Sequence, residues 1–395
     1  MAENAAPLTT VALARCPTYE PAALEEALTA ALKPLGGWEA LVRPGDRVCL
    51  KVNLLRAAAA EAAVTTHPSF VRAVARAVRR RGATAVLADS PGGGIPYTRA
   101  ALRNCYRRAG YLPLAEEEGV TLNYDTSSRE VHNAAGSFAR RFNVISPVLD
   151  ADVVLNLCKL KTHAFTYLTG GVKNCFGVIP GYDKPGFHGR LVDVAKFAEM
   201  LLEVALYVRP ALTLMDAVVA MEGNGPGLGE PRAVGLVVAS PSALAVDVVA
   251  GMLTGLPPAD HPVVAAAARR GILPHHPDHV RVAGEDLAAF RPAGWRWPPT
   301  VITAHGFAGF GRAQGAVSRL FRSAFSVQPR VRPRRCTGCG ACVEACPVGA
   351  AALREGKSVI DEQRCVRCYC CHEACPEDAI QLERSLLHRL LSRAA

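Results

Sequence analysis

Apolar and polar positions alternate along most of the chain in a rhythm that predicts strand, helix, strand. TVALAR (10–15) predicts a first strand, and PAALEEALTAALKPLGG (21–37) a helix closed by glycine. RVCLKVNLL (47–55) is a nearly unbroken apolar run carrying Lys51 and Asn53, the pattern of a strand buried on both faces. Thr66-His67-Pro68 opens a helix over 68–81 that ends at Gly82, and TAVLADS (84–90) is the next strand, leading into Pro91-Gly92-Gly93-Gly94. Helices are predicted near 98–108 and 112–118, short strands near 120–124 and 140–145, and a buried strand over 152–164. Residues 166–189 are Gly-rich with little apolar period; a helix over 193–208 restores it. A strand and polar loop (210–227), a strand (233–240) and a helix (242–255) complete the alternation, which predicts an α/β fold. The expected body, residues 1–285, is a mostly parallel sheet in one or two lobes. Residues 286–329, rich in Pro, Gly, Arg and aromatics, predict a connector, and 384–395 a short amphipathic helix.

The stretch from Cys336 to Cys375 breaks this pattern. It holds two copies of Cys-x2-Cys-x2-Cys-x3-Cys-Pro: Cys336, Cys339, Cys342 and Cys346, then Cys365, Cys368, Cys371 and Cys375. In this bacterial run the fourth Cys of each copy ligates the other cluster. The spacing therefore assigns one [4Fe–4S] cluster to Cys336, Cys339, Cys342 and Cys375, and a second to Cys365, Cys368, Cys371 and Cys346. Zinc sites also use Cys-x2-Cys, but usually as two doublets rather than repeated triplets with a lone fourth Cys and a Pro. Cys370 is left over and reads as a bystander. Residues 330–383 resemble the two-[4Fe–4S] ferredoxin family, which implies a small α+β domain.

Composition narrows the classes. The 395 residues suffice for two or three domains, half of them apolar and a fifth charged, as in ordinary globular proteins. MAENAAPLTT lacks the basic and apolar regions of a secretory leader, and no window approaches a membrane span. Eight of the 14 Cys stand in cluster spacing and need reduced thiolates, which predicts a cytoplasmic location. Within 330–383 the charges balance, so the formal net charge of +10 belongs to the rest of the chain. No nucleic-acid module accompanies it; an anionic small molecule and an acidic redox partner protein fit that excess.

Ligands of open α/β sheets bind beyond the carboxyl ends of the strands. Those ends carry Lys51 and Asn53, Asp89 and Ser90, Lys159, Lys161 and His163, and Asp216, Glu222 and Asn224. Thr169-Gly170-Gly171-Val172-Lys173-Asn174 offers unobstructed backbone N–H groups and a cation, a nest for phosphate or carboxylate. It is not a Walker A loop, and Asp89 to Gly94 is not Gly-x-Gly-x-x-Gly, so no nicotinamide cofactor is implied. Lys173 among other cations is a candidate base or amine nucleophile, or else pairs with Asp216 or Glu222. Cys158 and Cys175 read as buried apolar residues.

KVNLL, ADSPGG, NLCKLKTH, GGVKNCFGVIPGYDKPGFHGRL, DAVVAMEGNGPG and SPSALAVDVVA together resemble the family catalogued as domain of unknown function 362, over residues 10–285. Several members of that family append a ferredoxin module. A more distant similarity links THAFTYLTGGVKNCFGVIPG and Phe187-His188 to lactate-racemase-type enzymes. That resemblance implies Lys173 as the tether of a nickel-pincer nucleotide, with His163 and His188 as metal or proton-transfer groups. His67 stands where that family places a substrate-binding Arg. The leading expectation is an iron–sulfur oxidoreductase whose two clusters serve an anionic or nucleotide-like ligand at the rim. A pincer-cofactor or metal-dependent isomerase and a non-enzymatic electron carrier or cluster-handling partner stand beside it. Oligomeric state and substrate are not encoded legibly.

Overall fold

The computed structural model of the protein describes residues 8–92, 94–298 and 327–384. Among the described residues eleven strands lie in the body: β1 (Thr9–Arg15), β2 (Arg47–Val52), β3 (Thr84–Ala88), β4 (Thr121–Leu122), β5 (Ser128–His132), β6 (Arg141–Ile145), β7 (Val153–His163), β8 (Tyr167–Thr169), β9 (Leu212–Glu222), β10 (Glu230–Ser240) and β11 (Val280–Gly284). Nine form one sheet in the order β11-β1-β10-β9-β7-β2-β3-β4, with β8 folded back on β7. Strands β9, β7, β2, β3 and β4 run parallel; β10 and β8 are reversed. The sheet is the mostly parallel one expected, and β5–β6 is a separate antiparallel hairpin.

Successive side chains of a strand face opposite sides, and both sides are covered. Ala12 and Ala14 join Leu155 and Leu157 beneath the helices Pro21–Leu32 and Pro68–Arg80. Val11 and Leu13 join Cys158 and Leu160 against the helix Ala243–Thr254. The helix Val194–Val208 covers the same side with Phe197, Leu201 and Val204, all fully buried. Each helix begins where its sequence permits. Pro68 follows the cap His67, whose Nδ1 accepts from Ser69 N at 3.2 Å, and Asp193 accepts from Ala195 N and Lys196 N.

Four short strands build the C-terminal module: β12 (Val327–Val331) pairs with β15 (Ile380–Arg384), and β13 (Ala351–Arg354) with β14 (Lys357–Ile360). β12 spans the expected boundary at 330, and the predicted 384–395 helix lies outside the described residues beyond Arg384. The 286–298 part of the expected connector packs on the body. Leu287 and Phe290 join its core, and Arg296 bonds Glu222 and Glu230. Residues 299–326, where the rest of that connector falls, lie outside the described residues.

Because the parallel strands share one direction, their C-terminal ends form one rim, and the module docks there. Tyr369 and Leu382 enter the apolar cluster of Phe165, Phe176, Phe187 and Phe197. Tyr182 OH donates to Glu344 Oε2 at 3.2 Å, and Gly189 abuts Pro347.

Candidate functional site

A cleft opens between the rim and the module. It is walled by Asn53, Asp89, Ser90, Thr169, Lys173, Asn174, Lys184 and His188 from the body, and by Cys370 and Glu373 from the module helix Cys370–Ala374. Its free space is about 60 Å³. Most of its polar side chains are held by one another. Lys51 Nζ lies 2.9 Å from Asp89 Oδ1 and donates to Val52 O; Asp89 Oδ2 accepts from Leu54 N at 2.7 Å. Burial pushes the Asp89 carboxyl up, against the pull of Lys51 and Lys184. Gly177 packs on this ion pair so closely that any Cβ would strike Asp89 and Lys51.

Lys184, inside the GGVKNCFGVIPGYDKPGFHGRL block but not among the expected site residues, donates to Ser90 O, Ser90 Oγ and Pro91 O at 2.9, 2.7 and 3.0 Å. Burial lowers it to about 7, offset in part by Asp89. Its helix, Asp183–Arg190, and the helix Gly171–Cys175 lie within the Gly-rich stretch that shows no apolar period. Lys173 has no hydrogen-bond or ion-pair partner among the described residues. Burial lowers its pKa, while the nearby Glu373 and Cys370 act in the opposite sense. His188 stands among Phe165, Phe176 and Phe197, its ring centroid 4.3 Å from that of Phe197, and burial lowers it to about 3.

Three asparagines run in a ladder beneath the cleft. Asn156 Nδ2 donates to Gly171 O, Asn174 Nδ2 to Asn156 Oδ1, and Asn53 Nδ2 to Asn174 Oδ1, at 2.9, 2.7 and 3.0 Å. His163 is fully buried at the end of β7. Its Nδ1 accepts from Phe165 N and Thr166 N, which puts the ring proton on Nε2, 3.2 Å from Glu373 Oε1 but out of line for a hydrogen bond. Lys161 lies behind it and donates to Val64 O at 2.7 Å.

Several rim residues expected at a ligand are committed elsewhere. Lys159 Nζ bonds Asp216 Oδ2 and Tyr19 OH, both at 2.8 Å, while Tyr19 OH donates to Asp216 Oδ1 and stacks on His67 at 3.6 Å. Lys159, Asp216 and His67 thus form a closed knot that does not line the cleft. Glu222 is taken by Arg296 and Arg232, and Asn224 also stays outside the cleft wall. The Gly170-Gly171 nest holds a carboxylate, but the protein's own: Asp247 accepts from Gly171 N and from Val172 N at 3.1 Å. A Cβ on Gly170 would collide with Asp247. No outside anion reaches those two N–H groups, and Lys173 pairs with neither Asp216 nor Glu222.

In the module, Cys336, Cys339, Cys342 and Cys375 surround one hollow. Cys346, Cys365, Cys368 and Cys371 form the other group, close enough that Cys365 and Cys371 feel the charge of their neighbours. Backbone N–H groups point at the sulfurs. Ala350 N donates to Cys346 Sγ and Ala379 N to Cys375 Sγ, at 3.1 and 3.2 Å, the same contact repeated in each copy, and Ser358 N donates to Cys336 Sγ at 3.4 Å. Hollow, thiols and N–H···S donors fit an iron–sulfur cluster. Among the described residues no three Cys, His, Asp or Glu side chains converge as the donors of a single metal ion. No helix among them is long and apolar enough to cross a membrane.

The architecture is that of an α/β body with an iron–sulfur ferredoxin module seated on its strand ends, a protein with an electron-transfer role. The chain belongs to the family described as Domain of unknown function (DUF362), which matches residues 48–251, and its 335–379 match the 4Fe-4S dicluster domain. A thylakoid-associated protein of Synechocystis sp. is 39% identical over 265 residues, 67% of this chain and 80% of that protein. Among solved structures, lactate racemase apoprotein from Thermoanaerobacterium thermosaccharolyticum superposes with a TM-score of 0.39 and 10% identity, over 64% of this chain and 58% of that one. A Thermotoga maritima protein gives 0.31 and 13%, over 56% and 55%. The chain spans less than two thirds of either solved chain, and neither likeness bears on chemistry.

Proposed function

We propose that the protein is a cytoplasmic iron–sulfur oxidoreductase acting on an anionic substrate in the rim cleft. One observation carries the reading: Cys370, set between Cys368 and Cys371, is part of the cleft wall that Lys173, Lys184 and His188 complete. Cys336, Cys339, Cys342 and Cys375 would hold one [4Fe–4S] cluster, and Cys365, Cys368, Cys371 and Cys346 the other. Such clusters supply single electrons. Cys339 is exposed whereas Cys368 and Cys371, which flank the cleft residue Cys370 in sequence, are buried. That gradient suits a redox partner docking on the Cys339 side.

The body's residues supply the rest. Lys173 and Lys184 line the cleft against the single carboxylate of Glu373, since Asp89 is matched by Lys51, and in their protonated form they attract an anion. The phenylalanines around His188 keep water from that wall. His163 holds its proton at Nε2, facing the module's carboxylate. A nucleotide-sized group needs several hundred Å³, which the cleft does not offer beside the docked module.

The test is anaerobic reconstitution followed by stepwise reduction under electron paramagnetic resonance. About eight iron per chain is expected from two cubanes, with reduced signals that change when an accepted anion is added and stay fixed in Lys173→Met. Clusters that reduce and reoxidise with no response to any anion would sink the proposal.

A further inference from the structure

The asparagine ladder has a fixed direction. Gly171 O only accepts, so Asn156 must present Nδ2 to it, Asn174 must present Nδ2 to Asn156 Oδ1, and Asn53 must present Nδ2 to Asn174 Oδ1. The chain of amides therefore ends on Asn53 Oδ1, a buried acceptor with no donor. Thr169 Oγ1 and His188 Nδ1, on residues 3% and 5% exposed that line the same cleft, are likewise without partners. Buried polar groups are normally matched by a partner. Asn53 Oδ1, Thr169 Oγ1 and His188 Nδ1, together with the unpaired Lys173, mark where a ligand's own polar atoms belong; Asp89 Oδ1 and Glu373 Oε1 on the same wall also accept no hydrogen bond, but they face Lys51 Nζ at 2.9 Å and His163 Nε2 at 3.2 Å.

We propose that the cleft recognises a small oxyanion that carries its own hydroxyl donor: the charge meets Lys173, and the donor meets Asn53 Oδ1. The size follows from the free space of about 60 Å³, far short of the several hundred Å³ of ordinary ligand pockets, which suits a small anion rather than a nucleotide. The inference rests on reading this cleft as the substrate site, and it adds what the substrate must look like. Lys184 contributes field rather than contact, because three protein oxygens already occupy its donors.

Hydrogencarbonate and nitrate are matched probes, alike in size and charge, of which only the first has an O–H. Calorimetric titration of the full cluster-loaded chain, oxidised and without any electron donor, is expected to show hydrogencarbonate at least tenfold tighter. Lys173→Met should abolish binding of both. Thr169→Val keeps the side-chain shape and removes a hydroxyl that has no protein partner. It should weaken hydrogencarbonate severalfold at unchanged Tm, so a folding defect of Asn53→Ala cannot mask the outcome. Asn53→Ala, where folded, should erase the preference. Equal affinity for the two probes, a tighter fit for adenosine monophosphate, or full binding in Lys173→Met would overturn the proposal. Because no electrons move in this assay, binding without redox response refutes only the oxidoreductase reading. Redox response without this selectivity refutes only the present one.

Discussion

Gly94 meets the module backbone to backbone, and replacing it with alanine tests whether the docked arrangement governs the cleft. Its φ is +74°, and an added Cβ would lie 2.5 Å from Ala345 Cα and 3.1 Å from Ala345 N. Carbon atoms rest about 3.5–4.0 Å apart, so the module must retreat by roughly 1 Å or more. Two costs arise and can be separated. The left-handed backbone costs a non-glycine residue about 1–2 kcal/mol whether or not the module is docked. The overlap, about 1–3 kcal/mol by analogy with overpacked cores, falls on the docked state alone. At about 1.4 kcal/mol per decade, docking weakens some 5- to 150-fold. The reporter is Cys370, 3% exposed and outside both expected ligand sets. Its alkylation in cluster-loaded protein, followed by peptide mass spectrometry, should accelerate by that factor. Gly45→Ala is the control, since Gly45 has φ +89° and nothing within 4 Å, so it carries the strain without the overlap. Equal Cys370 labelling in wild type, Gly94→Ala and Gly45→Ala would refute the reasoning.

Three further outcomes are expected. Lys159→Met leaves Asp216 as an uncompensated buried charge and should cost about 3–5 kcal/mol in denaturant unfolding, with much of it recovered in Lys159→Met/Asp216→Leu. Cys371→Ser should lower the iron content and the visible absorption of reconstituted protein, whereas Cys370→Ser should keep both. Lys184 is lowered to about 7 in the fold but not in the unfolded chain, so between pH 7 and the ordinary lysine range the unfolded chain holds the extra proton. Its contribution to stability therefore rises with pH across that window, by up to about 1.4 kcal/mol per unit, and is lost as pH falls through 7. Urea unfolding from pH 7 to 9.5 should show wild type gaining on Lys184→Met, and parallel curves would contradict this.

The strands were legible because their apolar runs are local: β2 and β7 read as doubly buried from their own residues. So did the cluster cysteines, whose chemistry lies in spacing. The rim polar residues were visible, but their partners were not. Lys159 and Asp216, 57 positions apart, look like two site residues until the fold brings them together on Tyr19. The Gly170-Gly171 nest looked open because the carboxylate that fills it stands 76 residues away on another helix. The helices at 171–175 and 183–190 escaped the period analysis for a related reason. They are too short to show a full amphipathic repeat, and they take their order from Asp247 and from Lys184 on the Ser90 loop. Strand β5 was missed since four of its five residues are exposed, which removes the alternation that marks a strand. Lys184 lay inside the GGVKNCFGVIPGYDKPGFHGRL block without being singled out, and Cys370 and Glu373 gained meaning only from what the module faces.

Tyr369 and Leu382 lie among phenylalanines of the other half, so neither half is finished alone. Severing the polypeptide between 298 and 327 would give one fragment a bare greasy floor and the other an uncovered greasy knob. Such pieces, made separately, should find each other or clump. Iron supply would then decide more than redox competence, because a module that cannot assemble its metal leaves the larger half without a ceiling.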